Sequence, residues 1–188
     1  TGAVRQARIW TGAVAAAAVL AGAASVAGSF FRQELEETVA LDGAFSRLVA
    51  QSDVGDLRVR VAQAGERPHI TRRLEWAFNR PTATQRVNAG VAELETACPR
   101  TWIGAWCSVD LELVVPSGTS VQLRSNVGDM KVDGLSGAVS ATTSVGDVLL
   151  TAVTGNEVSA RTSTGDVVVH TGGVDVTVAA ESSTGDVQ

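Results

Sequence analysis

The chain has 188 residues, of which 45% are hydrophobic and 19% are charged, and its formal net charge is −5. This acidic balance excludes a basic surface able to neutralise a nucleic-acid backbone, and the hydrophobic content is too high for a disordered chain. The two histidines, His69 and His170, and the two cysteines match no metal-ligand spacing, so we expect neither a metal nor a cofactor.

The first predicted element is a membrane-spanning α-helix over residues 9–31, which contain no charged residue. A helix of this length extends roughly 34 Å, enough to cross a hydrocarbon core of about 30 Å. Arg5 and Arg8 precede the span, whereas Arg32 is the one nearby cation after it. We therefore predict a single-pass plasma-membrane protein in contact with lipid, with residues 1–8 as a cytoplasmic stub and the remainder outside. A cleaved signal peptide is the alternative, because the first two arginines also suit its charged region.

Small residues recur at four-residue spacing along this span, and such spacing allows another helix to approach closely. Because the span is rich in alanine, it gains little from lipid alone, which favours packing against other transmembrane subunits. The predicted packing residues are Gly12, Ala16, Ala18, Gly22, Ala24 and Gly28.

After the span, residues 32–44 are predicted to be a juxtamembrane linker, followed by an extracytoplasmic β domain over residues 45–188. Within that domain, residues 66–116 have an irregular β pattern interrupted by prolines. Cys98 and Cys107 are predicted to form a disulfide that clips a turn, which agrees with an oxidising compartment. Two buried free thiols are the alternative.

The chain contains five Gly-Asp pairs, and the last four form a regular repeat within residues 117–188. The aspartates of these four pairs are 18, 19 and 20 residues apart. Short runs of valine, threonine and serine between these pairs are typical of strands, and none is long enough for a helix. We predict stacked coils of two strands and two bends each, with valines inward and serines and threonines in ladders. The pairs are Gly55-Asp56, Gly128-Asp129, Gly146-Asp147, Gly165-Asp166 and Gly185-Asp186.

The glycine of each pair suits a tight bend with positive φ, and the aspartate can accept hydrogen bonds from nearby main-chain N–H groups. A column of calcium ions along these aspartates is the alternative. One carboxylate per coil is few for an ion that prefers six to eight oxygens, so calcium is not expected.

The strand that begins at Cys107 and ends in Pro116-Ser117-Gly118, followed directly by Ser-x-Gly-Asp-Val repeats, resembles the bacterial DUF4097 family, also called "putative adhesin" or β-strand-repeat proteins. The resemblance covers residues from about 45 to the end. It implies an all-β, right-handed parallel β-solenoid of about 18–20 residues per rung that faces the cell envelope, and it implies no activity.

No catalytic site is predicted. Neither His69 nor His170 adjoins a nucleophile motif, and although Asp129, Asp147 and Asp166 would align for carboxylate chemistry, regular stacking alone explains that alignment. The sequence therefore predicts a non-catalytic envelope protein that serves as an accessory or scaffold subunit of a larger membrane complex. The alternative is an adhesin or wall-contact module anchored only by its helix.

Two further expectations concern the context of the chain. The sequence stops within a rung, so we expect either a longer natural chain or a covering partner at that end. Lys131 is the single lysine against fourteen arginines, which favours a high-GC, actinobacterial source.

Overall fold

A computed structural model describes residues 32–99, 106–173 and 175–188. The predicted cytoplasmic stub and transmembrane helix lie outside these residues, as do all six predicted helix-packing positions. The described residues form strands and connecting turns, as the all-β prediction requires, and none of them belongs to a helix that is long and apolar enough to cross a bilayer.

The strands of the described chain are β1 Gln33–Ala40, β2 Arg47–Val54, β3 Leu57–Val61, β4 His69–Trp76, β5 Thr82–Asn88, β6 Val91–Ala97, β7 Cys107–Val115, β8 Ser120–Val127, β9 Met130–Asp133, β10 Val139–Val145, β11 Val148–Val153, β12 Glu157–Thr164, β13 Val167–Thr171 and β14 Thr177–Thr184. They form two sheets that enclose one apolar core. The first sheet has the order β1-β4-β7-β3-β9-β11-β13, and the second has the order β14-β12-β10-β8-β2-β6-β5.

The C-terminal part is a β-solenoid-like stack, which confirms the architecture predicted for the repeat. Each rung passes from a strand of the second sheet to a strand of the first, and equivalent strands pair in parallel: β8 with β10, β10 with β12, and β9 with β11. Alternate side chains point inward, as the half-buried strand pattern predicts. Met130, Val148 and Val167 occupy equivalent inward positions and are almost completely buried.

One rung lies out of chain order. Strands β2 and β3 form a rung between β6–β7 on one side and β8–β9 on the other, because β2 pairs with both β6 and β8, and β3 pairs with both β7 and β9. Between β3 and β8 the chain forms the strands β4 to β7 at one end of the stack, and we call this segment the excursion. The chain then continues on the other side of the β2–β3 rung, where β8 and β9 form the next rung. Hydrophobic pairing fixes this register, since Leu57 aligns with Leu111 on one side and with Met130 on the other.

Residues 32–44, predicted as a linker, instead contain β1, which pairs antiparallel with β4 along its whole length. Leu35 and Val39 alternate with exposed residues and turn toward the core side, a period-two pattern typical of an edge strand. The outward residues Glu34 and Glu36 pair with Arg73 of β4, whose Nη2 lies 2.8 Å from Glu36 Oε2. Glu37 lies on the same half-buried face as Leu35 and Val39, and its Oε1 is 2.8 Å from Arg72 Nε. The β domain therefore begins at residue 33, and the predicted start at residue 45 is too late.

Candidate functional site: the Gly-Asp edge

The five predicted Gly-Asp pairs lie in one column, at the bend where each second-sheet strand passes into the first sheet. We call this column, together with Asp110, the Gly-Asp edge. Gly128 follows β8 and Asp129 precedes β9, and the same placement recurs at Gly146-Asp147 and Gly165-Asp166. Gly185-Asp186 follows β14 and precedes an isolated bridge between Val187 and Val167. The five glycines have φ between +133° and +144°, a conformation that L side chains rarely adopt.

Close stacking gives these glycines a second requirement. A Cβ placed on Gly146 would collide with the carbonyl oxygen of Gly128, and one placed on Gly165 would collide with that of Gly146. The same relation joins Gly128 to Gly55 across the out-of-order rung, and Gly55 itself lies against the backbone of Val109. The edge is therefore continuous although 73 residues separate two neighbouring members.

The aspartates of this edge form a hydrogen-bonded ladder. The main-chain N–H of Asp147 donates to Asp129 Oδ1 at 2.8 Å, and the N–H of Asp166 donates to Asp147 Oδ1 at 2.8 Å. Asp129 N donates in the same way to Asp56 Oδ1 at 3.0 Å, and Asp186 N donates to Asp166 Oδ1 at 2.8 Å. Each rung of the ladder thus satisfies a main-chain donor of the next bend through a charge-assisted bond.

Asp110 is a sixth member that the sequence analysis missed. Its Oδ1 accepts the N–H of Asp56 at 2.9 Å and lies 3.3 Å from Ser108 Oγ. No glycine precedes Asp110, which is why the Gly-Asp pattern does not include it. The shorter pattern Ser108-Val109-Asp110-Leu111, serine and aspartate followed by an apolar residue, is the signal that could have identified it.

A column of hydroxyl side chains lies just inside the bends, as the predicted serine and threonine ladders require. Thr162 Oγ1 donates to the carbonyl oxygen of Gly146 at 2.9 Å, and Ser182 Oγ donates to that of Gly165 at 2.8 Å. At the irregular end, Thr96 Oγ1 donates to Ser52 Oγ at 3.0 Å. The bonds from Thr162 and Ser182 provide a partner for carbonyl oxygens of the positive-φ glycines.

The opposite bend carries a second glycine column that sequence reasoning also missed. A Cβ on Gly155 would collide with the carbonyl oxygen of Gly137, and one on Gly137 would collide with that of Thr119. These glycines have no acidic neighbour, and their 18-residue spacing is the available signal. Glycine is required here by close approach alone, because neither residue has a positive φ.

A groove of about 550 Å³ runs beside the Gly-Asp edge. Its lining includes the carboxylates of Asp129, Asp147 and Asp166 and the cations of Arg58 and Lys131. Each of these aspartates already accepts a main-chain N–H through Oδ1. Among residues 32–99, 106–173 and 175–188, no three His, Cys, Asp or Glu side chains are arranged to hold a metal ion.

The predicted disulfide is present between Cys98 and Cys107, whose Cα atoms are 5.8 Å apart. It joins the segment after β6 to the start of β7, where the excursion returns to the first sheet. Asp53 secures the same place, because its Oδ2 accepts the Cys98 N–H at 3.2 Å and its Oδ1 accepts Asn126 Nδ2 at 3.1 Å. The disulfide therefore anchors the excursion beside the first bend of the edge.

The two histidines lie far apart. His69 begins β4, and His170 lies in β13, with the strands β7, β3, β9 and β11 between them in the first sheet. Five strand spacings correspond to roughly 24 Å. His69 Nδ1 lies 2.9 Å from the carbonyl oxygen of Arg67, within its own turn.

Comparison with known proteins places these features in a family. The family model described as Toastrack DUF4097 matches residues 42–188. A crystal structure of a "putative cell adhesion protein" from Clostridium sporogenes has a TM-score of 0.58 and 13% identity, covering 83% of this chain and 97% of that chain. This likeness concerns the fold alone.

A second crystal structure, of a "putative adhesin" from Bacteroides fragilis, has a TM-score of 0.40 and 12% identity, with 82% of this chain and 96% of that chain covered. No curated protein has detectable similarity to this chain.

Proposed function

This chain belongs to the Toastrack DUF4097 family, and from that membership we propose that it is a non-catalytic envelope protein, anchored by residues 9–31, whose β domain is an extracytoplasmic scaffold subunit of a larger membrane assembly. The proposal treats the β domain as a rigid spacer and contact surface. Its partners are other transmembrane subunits, which pack against the small-residue positions of the span.

The observation that carries this proposal is the use of the aspartate ladder. In an enzyme or an ion-binding repeat, aligned carboxylates would face a substrate or a cation. Here each ladder Oδ1, as in Asp129 and Asp147, accepts a main-chain N–H of the next bend at 2.8 Å. The aspartate ladder therefore joins each rung to the next, and a structural role of this kind suits a scaffold.

The placement of the histidines supports the non-catalytic part of the proposal. His69 and His170 lie on strands separated by four others, so they have no shared site. A nucleophile-base pair requires contact within about 3 Å, and neither histidine is paired with a serine or cysteine among the described hydrogen bonds.

The span supports the assembly part of the proposal. Residues 9–31 are uncharged but dominated by alanine and glycine, so the lipid stabilises them less than it would a leucine-rich span. Close packing of small residues is the main attraction available between helices in lipid. A marginal span with small residues at four-residue spacing is therefore better stabilised beside other helices than alone.

Gentle detergent extraction followed by affinity purification of the full chain tests this function. We expect a fixed set of membrane subunits to purify with the chain in constant ratio. Isolation of the chain as a lone monomer would contradict the scaffold proposal and favour the adhesin alternative, in which the helix serves only as an anchor.

A matched pair of span variants makes the test sharper. Gly22→Leu places a bulky side chain at a predicted packing position, whereas Ala21→Leu adds similar bulk at the next position, outside the predicted set. The first is expected to lose the co-purifying subunits and the second to keep them. Equal retention by both variants would show that the assembly does not depend on the small-residue positions.

A further inference from the structure

Three aromatic and two arginine residues lie near one another at one end of the first sheet. Gln33, Trp76 and Cys107 are in register across β1, β4 and β7, and the N–H of Ala77 donates to the carbonyl oxygen of Trp106 at 2.9 Å. This register brings the start of β1, the connection after β4 and the residue before β7 to one place. We call the group the aromatic corner, and its members are Arg32, Trp76, Phe78, Arg80 and Trp106.

Phe78 is held in an unfavourable backbone conformation. Its φ is +74°, which is a rare value for a bulky side chain and costs free energy in the folded state. Burial of the ring would offset that cost, but 58% of the residue is exposed. Since strained residues cluster where they serve a function, the combination of strain and exposure indicates a functional role for this ring.

The two arginines of the corner are stacked on tryptophans. Arg32 Cζ lies 5.0 Å from the centroid of the Trp106 ring, and Arg80 Cζ lies 5.6 Å from that of Trp76. Trp106 is 49% exposed, and Arg80 Nη2 is also 4.0 Å from Glu37 Oε1. Guanidinium groups bind phosphate oxygens in a bidentate manner, and tryptophan rings favour the layer between water and acyl chains. The corner thus combines both features of a lipid-headgroup surface.

The residues that precede Arg32 indicate what the aromatic corner contacts. Arg32 follows directly after residues 9–31, the uncharged stretch that we propose as the membrane anchor. If those residues span the bilayer, the aromatic corner lies at the membrane surface. The Gly-Asp edge extends away from the corner along the stack, and its row of carboxylates would be repelled by anionic lipid. Charge therefore favours contact through the corner, with the stack standing away from the surface.

We propose that the aromatic corner seats on the headgroup layer of the anchoring bilayer, with Phe78 and Trp106 at interfacial depth and Arg32 and Arg80 on lipid phosphates. This inference rests on the anchored orientation proposed above. It assigns the corner the role of fixing the angle at which the β domain stands on the membrane.

The test uses the full chain in vesicles of phosphatidylcholine and phosphatidylglycerol that contain a spin-labelled quenching lipid. A fluorophore attached through Asn79→Cys, at an exposed position beside Phe78, reports contact of the corner with lipid. The same fluorophore attached through Ser183→Cys, in the last rung, is the matched control. We expect several-fold stronger quenching at position 79 than at position 183.

Variants of the corner identify the groups responsible. Phe78→Ser should lower the quenching at position 79, and Arg32→Gln and Arg80→Gln should each lower the ratio of docked to undocked domain roughly fivefold in anionic vesicles. Val178→Ser removes an exposed apolar side chain from β14 and should leave the quenching unchanged.

The possible failures are distinguishable. Loss of the chain from vesicles on alkaline carbonate washing would overturn the anchored orientation together with this inference. Retention in the vesicles with equal quenching at positions 79 and 183 would overturn the contact between the aromatic corner and lipid, and would leave the anchored orientation in place. Shielding of the fluorophore at position 79 from an aqueous quencher in native membranes, together with no lipid quenching in the vesicles, would assign the corner to a membrane protein and overturn the lipid assignment.

Discussion

The regular rungs from β8 to β14 and the excursion from β4 to β7 are stabilised in different ways. The rungs repeat parallel pairing, main-chain ladders and buried hydroxyls at nearly equivalent positions. The excursion joins the stack through parallel pairs of β6 with β2 and of β7 with β3. Together with β1 it adds antiparallel pairs, ion pairs such as Arg73–Glu36 at 2.8 Å, and the disulfide. The repeat is thus fixed by backbone geometry, and the excursion is fixed by individual side chains.

The two regions differ in what a substitution would disrupt. A change at a rung bend displaces the backbone of its neighbours, because the glycines of the Gly-Asp edge pack against one another's carbonyl groups. A change in the excursion removes one pair contact and leaves adjacent strands in register. Substitutions should therefore act through clashes in the first region and through lost contacts in the second.

The largest expected effect is that of Gly146→Ala. The new Cβ combines a φ of +136° with a collision against the Gly128 carbonyl group, so we expect a loss of more than about 3 kcal/mol in the free energy of unfolding. Urea unfolding followed by circular dichroism measures the loss.

Two other glycines separate the causes of that effect. Gly65 has a φ of +83° but open space around its Cβ position, so Gly65→Ala should cost only about 1–2 kcal/mol. Gly118 has neither a positive φ nor a close neighbour, and Gly118→Ala should have little effect. Equal losses at positions 146 and 65 would contradict the close stacking of the bends.

Removal of the disulfide comes next. The Cys98→Ala/Cys107→Ala double variant lacks the bond that closes the loop between two residues nine positions apart. We expect its free energy of unfolding to fall by about 2–3 kcal/mol. Hydrogen exchange should show reduced protection in β6 and β7, with β10 to β13 retaining theirs. Uniform loss of protection across both regions would mean that the excursion and the rungs do not differ as described.

A smaller loss is expected from Thr162→Val. The side chain is buried, and its hydroxyl donates to the Gly146 carbonyl oxygen at 2.9 Å, so the isosteric change should cost about 1 kcal/mol. Thr142→Val, on the exposed face of β10, is the control and should be nearly neutral. Thermal unfolding of both variants provides the comparison.

The pair Arg60–Glu66, which joins β3 to the connection that leads into the excursion, predicts a dependence of stability on pH. The bidentate hydrogen bond from Arg60, followed by the N–H of Gln63, lowers the pKa of Glu66 from 4.5 to about 2. A lowered folded-state pKa stabilises the protein above pH 4.5, and this contribution is lost as the pH falls toward 2.

Glu66→Gln should therefore flatten the dependence of stability on pH between 4.5 and 2, as measured by urea unfolding at a series of pH values. The Arg60→Gln/Glu66→Gln double variant should add no further flattening. An unchanged slope in the single variant would show that the ion pair does not persist in solution.

The rungs could be predicted from the sequence because local pattern and stacking coincide there. Gly146-Asp147 and Gly165-Asp166 recur at the spacing of one coil. The two cysteines of the sequence likewise predict the disulfide between Cys98 and Cys107 that the structure contains. Strand β1 was missed, since Leu35 and Val39 are its only large apolar residues among charged ones and its pairing depends on arginines of β4.

The out-of-order rung could not be inferred from local pattern. Nothing near Gly55-Asp56 indicates that β6 and β7 will form a rung beside it before β8 continues the stack. That arrangement depends on pairings between strands far apart in sequence, such as Leu57 with Leu111. Asp110 was missed for a related reason, because Val109 stands where the repeat elsewhere has glycine.

The central claim is that the aspartates of the Gly-Asp edge act as hydrogen-bond acceptors within the stack. The most direct test is thermal unfolding of wild type, Asp147→Asn and Asp147→Ala, each with calcium and with a chelator. The amide oxygen of asparagine can still accept the Asp166 N–H, so Asp147→Asn should stay within about 0.5 kcal/mol of wild type, whereas Asp147→Ala should lose about 1 kcal/mol. Calcium should shift no melting temperature; a rise with calcium in wild type that both variants abolish equally would contradict the claim.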